Sequence, residues 1–147
     1  MDSTTPRPQQ TKRRNTRQRQ LILNVVRSRC DHPTAEDIYL AVQQVDNRIS
    51  RGTVYRNLNL LADSGTIATV KAPGAMRFDW RCDGHSHVVC PRCGAVADTS
   101  LPYDAALDIQ ASDDTGFAIT MHSMVFEGIC PECRDASGAA QLNENSL

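Results

Sequence analysis

The sequence predicts an α+β chain in two parts, a winged helix-turn-helix domain followed by a smaller domain stapled by zinc. Three observations carry this. Apolar residues recur at helical spacing three times between Leu21 and Leu61 and give way to an alternating stretch with a central Pro-Gly. Two CxxC pairs, Cys90-Pro-Arg-Cys93 and Cys130-Pro-Glu-Cys133, stand 36 residues apart in the second half. Charge is also divided: residues 1–80 hold 13 Lys+Arg and 7 Asp+Glu, a net +6, whereas residues 81–147 hold 3 and 10, a net −7. A basic front half suits a polyanion such as nucleic acid, and the acidic back half does not.

The first 15 or so residues are rich in Pro, Gln, Thr and Arg without apolar periodicity, and read as a disordered basic arm. From Thr16 the pattern becomes an amphipathic helix carrying Leu21, Ile22, Val25 and Val26. His32-Pro33 ends it. Thr34 is placed to cap a second helix, with Asp37 at N3 completing a capping box, and Ile38, Ala41, Val42 and Val45 as the buried stripe. Ser50 caps a third helix whose Val54, Leu58 and Leu61 face the core and whose end is marked by Gly65. The other face of that helix carries Arg51, Thr53, Tyr55, Arg56 and Asn59, with no acid before Asp63. Such a face offers Arg to guanine edges or phosphate, and Thr and Tyr to thymine methyl groups or phosphate. An ordinary solvated face is the plainer reading of the helix taken alone. The stretch TIATVKAPGAMRFDW then forms a hairpin turning at Pro73-Gly74, with Lys71 and Arg77 as candidate backbone contacts. Three helices and a hairpin over residues 16–80 make a winged helix.

The two CxxC pairs, each with Pro after its first Cys, fit a closed, tetrahedral, structural zinc site made of Cys90, Cys93, Cys130 and Cys133. A pair of disulfides or a redox dithiol is the rival reading. Cys30 and Cys82 are left as free thiols. His85-Ser-His87 leads into Val88-Val89 and is expected on a strand, where alternation sends both imidazoles to one side. Such a pair is a metal half-site or a solvated pair. Asp79, six residues before His85, and Asp98, eight after Cys90, read from spacing alone as turn acids. No apolar run approaches the roughly 18 residues of a membrane span. The N-terminus lacks a secretory pattern. With mean hydropathy of −0.41, this points to a soluble, cytoplasmic protein.

Taken together, HPTAEDIY (His32–Tyr39), GTVYRNLNLL (Gly52–Leu61), RFDW (Arg77–Trp80), HSHVVCPRCG (His85–Gly94) and GICPEC (Gly128–Cys133) resemble the ferric-uptake-regulator (Fur) family of metal-dependent repressors. The resemblance implies an α/β dimerisation domain over residues 84–134 and a homodimer on double-stranded operator DNA, while the small, polar residues 135–147 read as a disordered tail. It also implies Arg19 as a DNA contact and a regulatory Fe(II) or Mn(II) site on His32, Asp79, His85, His87 and Asp98. The positions of a further site in many members fall on Gly84, Ser86, Ala105 and His122. The first three are poor ligands, so that site is expected to be missing and His122 to be structural. Iron sensors usually have Glu where Asp79 and Asp98 stand, whereas the peroxide-sensing (PerR) branch has Asp at both. That branch loses DNA when peroxide and Fe(II) oxidise a ligand histidine, here His32 or His87. The resemblance thus implies a peroxide-sensing repressor that is not an enzyme and has no organic substrate or membrane partner. An iron- or manganese-responsive repressor is the alternative. A metalloenzyme built on the histidine centre and a zinc-stapled module that does not bind DNA are the readings from other classes.

Overall fold

The computed structural model describes residues 8–136. In chain order the elements are α1 (Pro8–Arg27), α2 (Ala35–Val45), α3 (Arg51–Asp63), β1 (Ala68–Ala72), β2 (Ala75–Asp79), β3 (His87–Val89), β4 (Val96–Asp98), α4 (Ala105–Thr115), β5 (Val125–Glu127) and α5 (Pro131–Ala136). β1 and β2 form a two-stranded sheet, and the other strands form a second sheet in the order β4-β3-β5. The chain divides into two compact units, one built on residues up to Thr69 with Arg77–Trp80, the other on Val70–Met76 and the chain from Arg81 onward. No helix among the described residues is long and apolar enough to cross a membrane.

The first unit is organised by its apolar stripes. Ile22, Val26, Ile38, Val42, Val54 and Leu58 are buried from three helices, Ile49 from the loop between α2 and α3, and Ile67, just before β1, and Phe78 on β2 close the cluster. The capping box forms: the Thr34 hydroxyl accepts from the Asp37 amide at 3.2 Å, and the Thr34 amide donates to the Asp37 carboxylate at 2.9 Å. Ser50 accepts from the Thr53 amide and so caps α3. Gly65 follows the end of α3 with φ +70, a conformation that costs glycine little. Phe78 donates its amide to the Pro33 carbonyl at 2.9 Å, and Thr34 bridges Arg77, so the end of β2 is stitched to the start of α2.

Two expectations are corrected here. Residues 8–15 are helical rather than a disordered arm, because Gln, Lys and Arg favour helix without an apolar stripe and Pro8 suits a first helical position. Residues 1–7 of that arm lie outside the described residues. Val45 is 68% exposed and does not join the α2 stripe, which consists of Ile38 and Val42.

In the second unit β3 is central. It runs antiparallel to β4, with His87 opposite Asp98, and parallel to β5, with Val89 opposite Glu127. α4 is capped by Asp104 at one end and by left-handed Gly116 at the other, yet buries none of its residues. Asp135 and Ala136, expected in a disordered tail, finish α5. The rest of that tail lies outside the described residues.

Candidate metal centres

The β3–β5 pairing sets the two CxxC turns side by side, because Cys90 directly follows Val89 and Gly128 donates its amide to the Val89 carbonyl at 3.1 Å. The four sulfurs of Cys90, Cys93, Cys130 and Cys133 lie within 4.8 Å of one another. A tetrahedral zinc with Zn–S bonds of about 2.3 Å requires sulfurs about 3.8 Å apart. Cys93 and Cys130 are 3.6 Å apart, close to that spacing and far from the roughly 2.05 Å of a disulfide. None of the six cysteines, all among the described residues, is in a disulfide. Backbone amides of Cys130 and Cys93 pull the Cys90 thiol down to about 6. The Cys130 and Cys93 sulfurs push that of Cys133 up to about 12. One thiolate is favoured and the next is resisted by its neighbours, so four can coexist only around a cation. The donor set fits zinc, and local backbone shapes both turns: Gly94 closes the first onto the Cys90 carbonyl, and the Cys133 amide faces the Cys130 sulfur at 3.4 Å.

The second unit also gathers His85, His87 and Asp98. The strand register places the Asp98 carboxylate opposite His87. Oδ1 of Asp98 lies 2.9 Å from Nε2 of His85 and 3.4 Å from Nε2 of His87. The two rings are 4.3 Å apart. The strand assignment of His85 is corrected: β3 begins at His87, and His85 reaches the same side from the preceding loop. The ladder continues beyond the strand through the Thr99 amide, which donates to the Ser86 carbonyl, so the alternation survives without His85 being strand. Two neighbours were not anticipated. Asp83 Oδ1 lies 2.7 Å from Nδ1 of His85. Arg81 donates to Asp83 at 2.7 Å and to Asp98 at 3.4 Å. Arg81 and His85 together hold the Asp83 carboxyl down at about 2.

The first unit brings together His32 and Asp79, both buried, with Nε2 of His32 3.3 Å from the Asp79 carboxylate. Asp79 is therefore no exposed turn acid. The stitch between Pro33 and Phe78 explains the contact, since each ligand candidate adjoins one of those residues. His32 has φ +51, an uncommon conformation for a residue with a side chain, and Arg77 donates to its carbonyl at 3.3 Å.

His122 is occupied structurally. Its Nδ1 lies 2.6 Å from Asp108, its ring stacks on Tyr103 at 4.4 Å, and Tyr103 donates its hydroxyl to the same carboxylate. A side chain at position 84 would begin 3.0 Å from the His122 carbonyl, which leaves no room there for a ligand.

Of the DNA-contact candidates, Tyr55 and Arg56 project from α3 into solvent, and Thr53 receives a 3.4 Å hydrogen bond from Arg56. Lys71 is exposed on β1. Arg51 is engaged by residues of α2, donating to Glu36 at 2.9 Å with its guanidinium 4.8 Å from the Tyr39 ring centre. Arg19 donates through Nε to Asn57 on α3 at 3.2 Å. Glu36 and Asn57 were not singled out by the sequence, because both act across helices.

The family model described as "Ferric uptake regulator family" matches residues 10–127. The chain is 36% identical over 123 residues to a Staphylococcus aureus peroxide-responsive repressor PerR, covering 83% of each protein. It is similar to the crystal structure of a Campylobacter jejuni peroxide stress regulator, with TM-score 0.74, 25% identity, and coverage of 85% of this chain and 95% of the other. The Helicobacter pylori ferric uptake regulator shares the fold, with TM-score 0.71, 24% identity and coverage of 84% and 86%.

Proposed function

The chain belongs to the ferric uptake regulator family of metal-responsive regulators, and on that premise we propose that it is a homodimeric, metal-dependent repressor that senses hydrogen peroxide. The observation that carries the peroxide reading is the pair of aspartates, Asp79 against His32 and Asp98 against His85 and His87. The peroxide-sensing branch has Asp at both positions, and the Staphylococcus relative is named as a peroxide-responsive repressor.

In this reading zinc sits on Cys90, Cys93, Cys130 and Cys133. His32, Asp79, His85, His87 and Asp98 together hold the regulatory ion. Imidazole and carboxylate donors suit Fe(II) or Mn(II). An ion drawing ligands from both units ties metal occupancy to DNA binding, which is a coupling free energy between two sites. Fe(II) held there would supply the redox chemistry for peroxide to oxidise a ligand imidazole by two electrons, one peroxide oxygen going to a ring carbon and the other leaving as water. His32 or His87 is the residue oxidised. The modified ring is a poorer ligand, the ion is lost and DNA is released. The event is self-modification, without turnover.

Arg19, Arg51, Thr53, Tyr55, Arg56 and Lys71 supply the DNA contacts, with Arg51 pre-oriented by Glu36 and Arg19 braced by Asn57. Dimerisation uses the second unit, where α4 and the edge strand β5 expose Ile109, Val125 and Phe126.

The test is mass spectrometry of zinc-containing protein loaded anaerobically with Fe(II), before and after a peroxide pulse, with DNA binding measured on the same samples. A one-oxygen adduct on His32 or His87 with loss of DNA binding is expected. Retained binding without an adduct would replace this reading with an iron- or manganese-responsive repressor.

A further inference from the structure

We propose that Asp83 is a positioning residue that fixes His85 as an Nε2 ligand of the regulatory metal, with Arg81 locking Asp83 in place. This rests on the reading of His85 as a ligand. An ionised carboxylate only accepts hydrogen bonds, so Asp83 Oδ1 at 2.7 Å obliges Nδ1 of His85 to keep its proton. In the neutral ring the lone pair is then on Nε2. That nitrogen faces Oδ1 of Asp98 at 2.9 Å. Two acceptors at that distance are stable only with a cation between them, either a second proton on the ring or a metal ion. The orientation that satisfies Asp83 is therefore the one that presents His85 and Asp98 to a metal.

Arg81 makes the arrangement rigid. Asp83 is 59% exposed, and an exposed carboxylate would sample several rotamers. Arg81 grips it from the side away from His85 at 2.7 Å and reaches the Asp98 carboxylate at 3.4 Å with its other terminal nitrogen. One guanidinium thus spaces the positioning carboxylate and the ligand carboxylate. Carboxylates that receive the distal N–H of a ligating histidine fix its tautomer and raise its basicity, and their loss typically weakens metal binding about 10–100-fold.

The experiment measures Mn(II) affinity by chelator competition on the full-length zinc-containing protein, without peroxide, for wild type, Asp83→Ala, Asp83→Asn and His85→Ala. The imidazole tautomer of His85 is read by nitrogen NMR on the same proteins. We expect Asp83→Ala to weaken Mn(II) about 10–100-fold and to release His85 from the Nδ1–H form, with zinc content unchanged. Asn keeps an accepting oxygen without the charge, so Asp83→Asn should recover part of the affinity and of the tautomer preference. Unchanged affinity in Asp83→Ala while His85→Ala loses it would overturn the role of Asp83 and leave the metal site standing. Unchanged affinity in His85→Ala would overturn both. A wild-type His85 carrying its proton on Nε2 alone would also refute the proposal.

Discussion

The two units are held together by different physics. In the first, eleven buried apolar side chains from three helices, the loops beside α3, and β2 form one cluster. In the second, from Arg81 onward, the buried apolar core among the described residues is Val89 and Cys90, while Ile109, Phe117, Val125 and Phe126 stand open to solvent. A unit with three-residue strands and a helix that buries nothing cannot offset its chain entropy by burial alone. On the proposed function, the rest of its order comes from outside the chain, through an ion on the cysteines and a second copy on the apolar face. The first unit is thus self-sufficient, and the second is conditional on what it binds.

Zinc removal is the most severe test of this contrast. Structural zinc contributes roughly 10–16 kcal/mol in small domains. Cys93→Ser, or stripping with a strong chelator, should abolish the β4-β3-β5 sheet while leaving the α1–α3 core folded. Amide NMR or hydrogen exchange resolved by residue would separate the two. A second unit that keeps its exchange protection without zinc would remove the basis of the comparison.

Core truncation reverses the asymmetry. Leu58 is fully buried in the first unit, so Leu58→Ala should cost about 2–5 kcal/mol. Ile109 on α4 is 63% exposed, and in the monomer Ile109→Ala should stay within about 0.5 kcal/mol. Urea unfolding followed by probes in each unit checks both. Comparable losses at the two positions would mean that α4 packs against its own unit after all.

The same contrast explains what was legible in the sequence. The first unit could be read almost residue by residue, since burial of Ile22, Ile38, Val54 and Leu58 follows the helical period and Thr34, Ser50 and Gly65 mark the ends locally. The polar first turns of α1 escaped because periodicity detects only a helix with an apolar stripe. The cysteine quartet was legible because its spacing is itself the chemistry. The partners of the site residues were not. Glu36 meets Arg51 across 15 residues and two helices, and Asp83 differs from any turn acid only through the loop that aims it at His85. Long-range side-chain pairing leaves no period behind.

The smallest effect concerns the junction between α2 and the candidate ligand His32. Thr34 caps the helix two residues after His32, and Thr34→Ala should cost about 1 kcal/mol. Its partner Asp37 adds a pH dependence of defined sign. The Thr34 hydroxyl and amide hold the Asp37 carboxyl below its ordinary 3.8. A depressed folded value means that the carboxylate stabilises the native state fully above 3.8, and that this contribution fades as the pH falls below it toward the folded value. The stability difference between wild type and Asp37→Asn should therefore be present at neutral pH and shrink in acid, as read from urea midpoints at constant ionic strength. Among the described residues the second unit has no counterpart to this box, so zinc-site integrity, followed by a thiol-reactive dye, should be the same in both proteins at neutral pH. A capping variant that released zinc would show that the ends of α2 support more than the first unit's own fold.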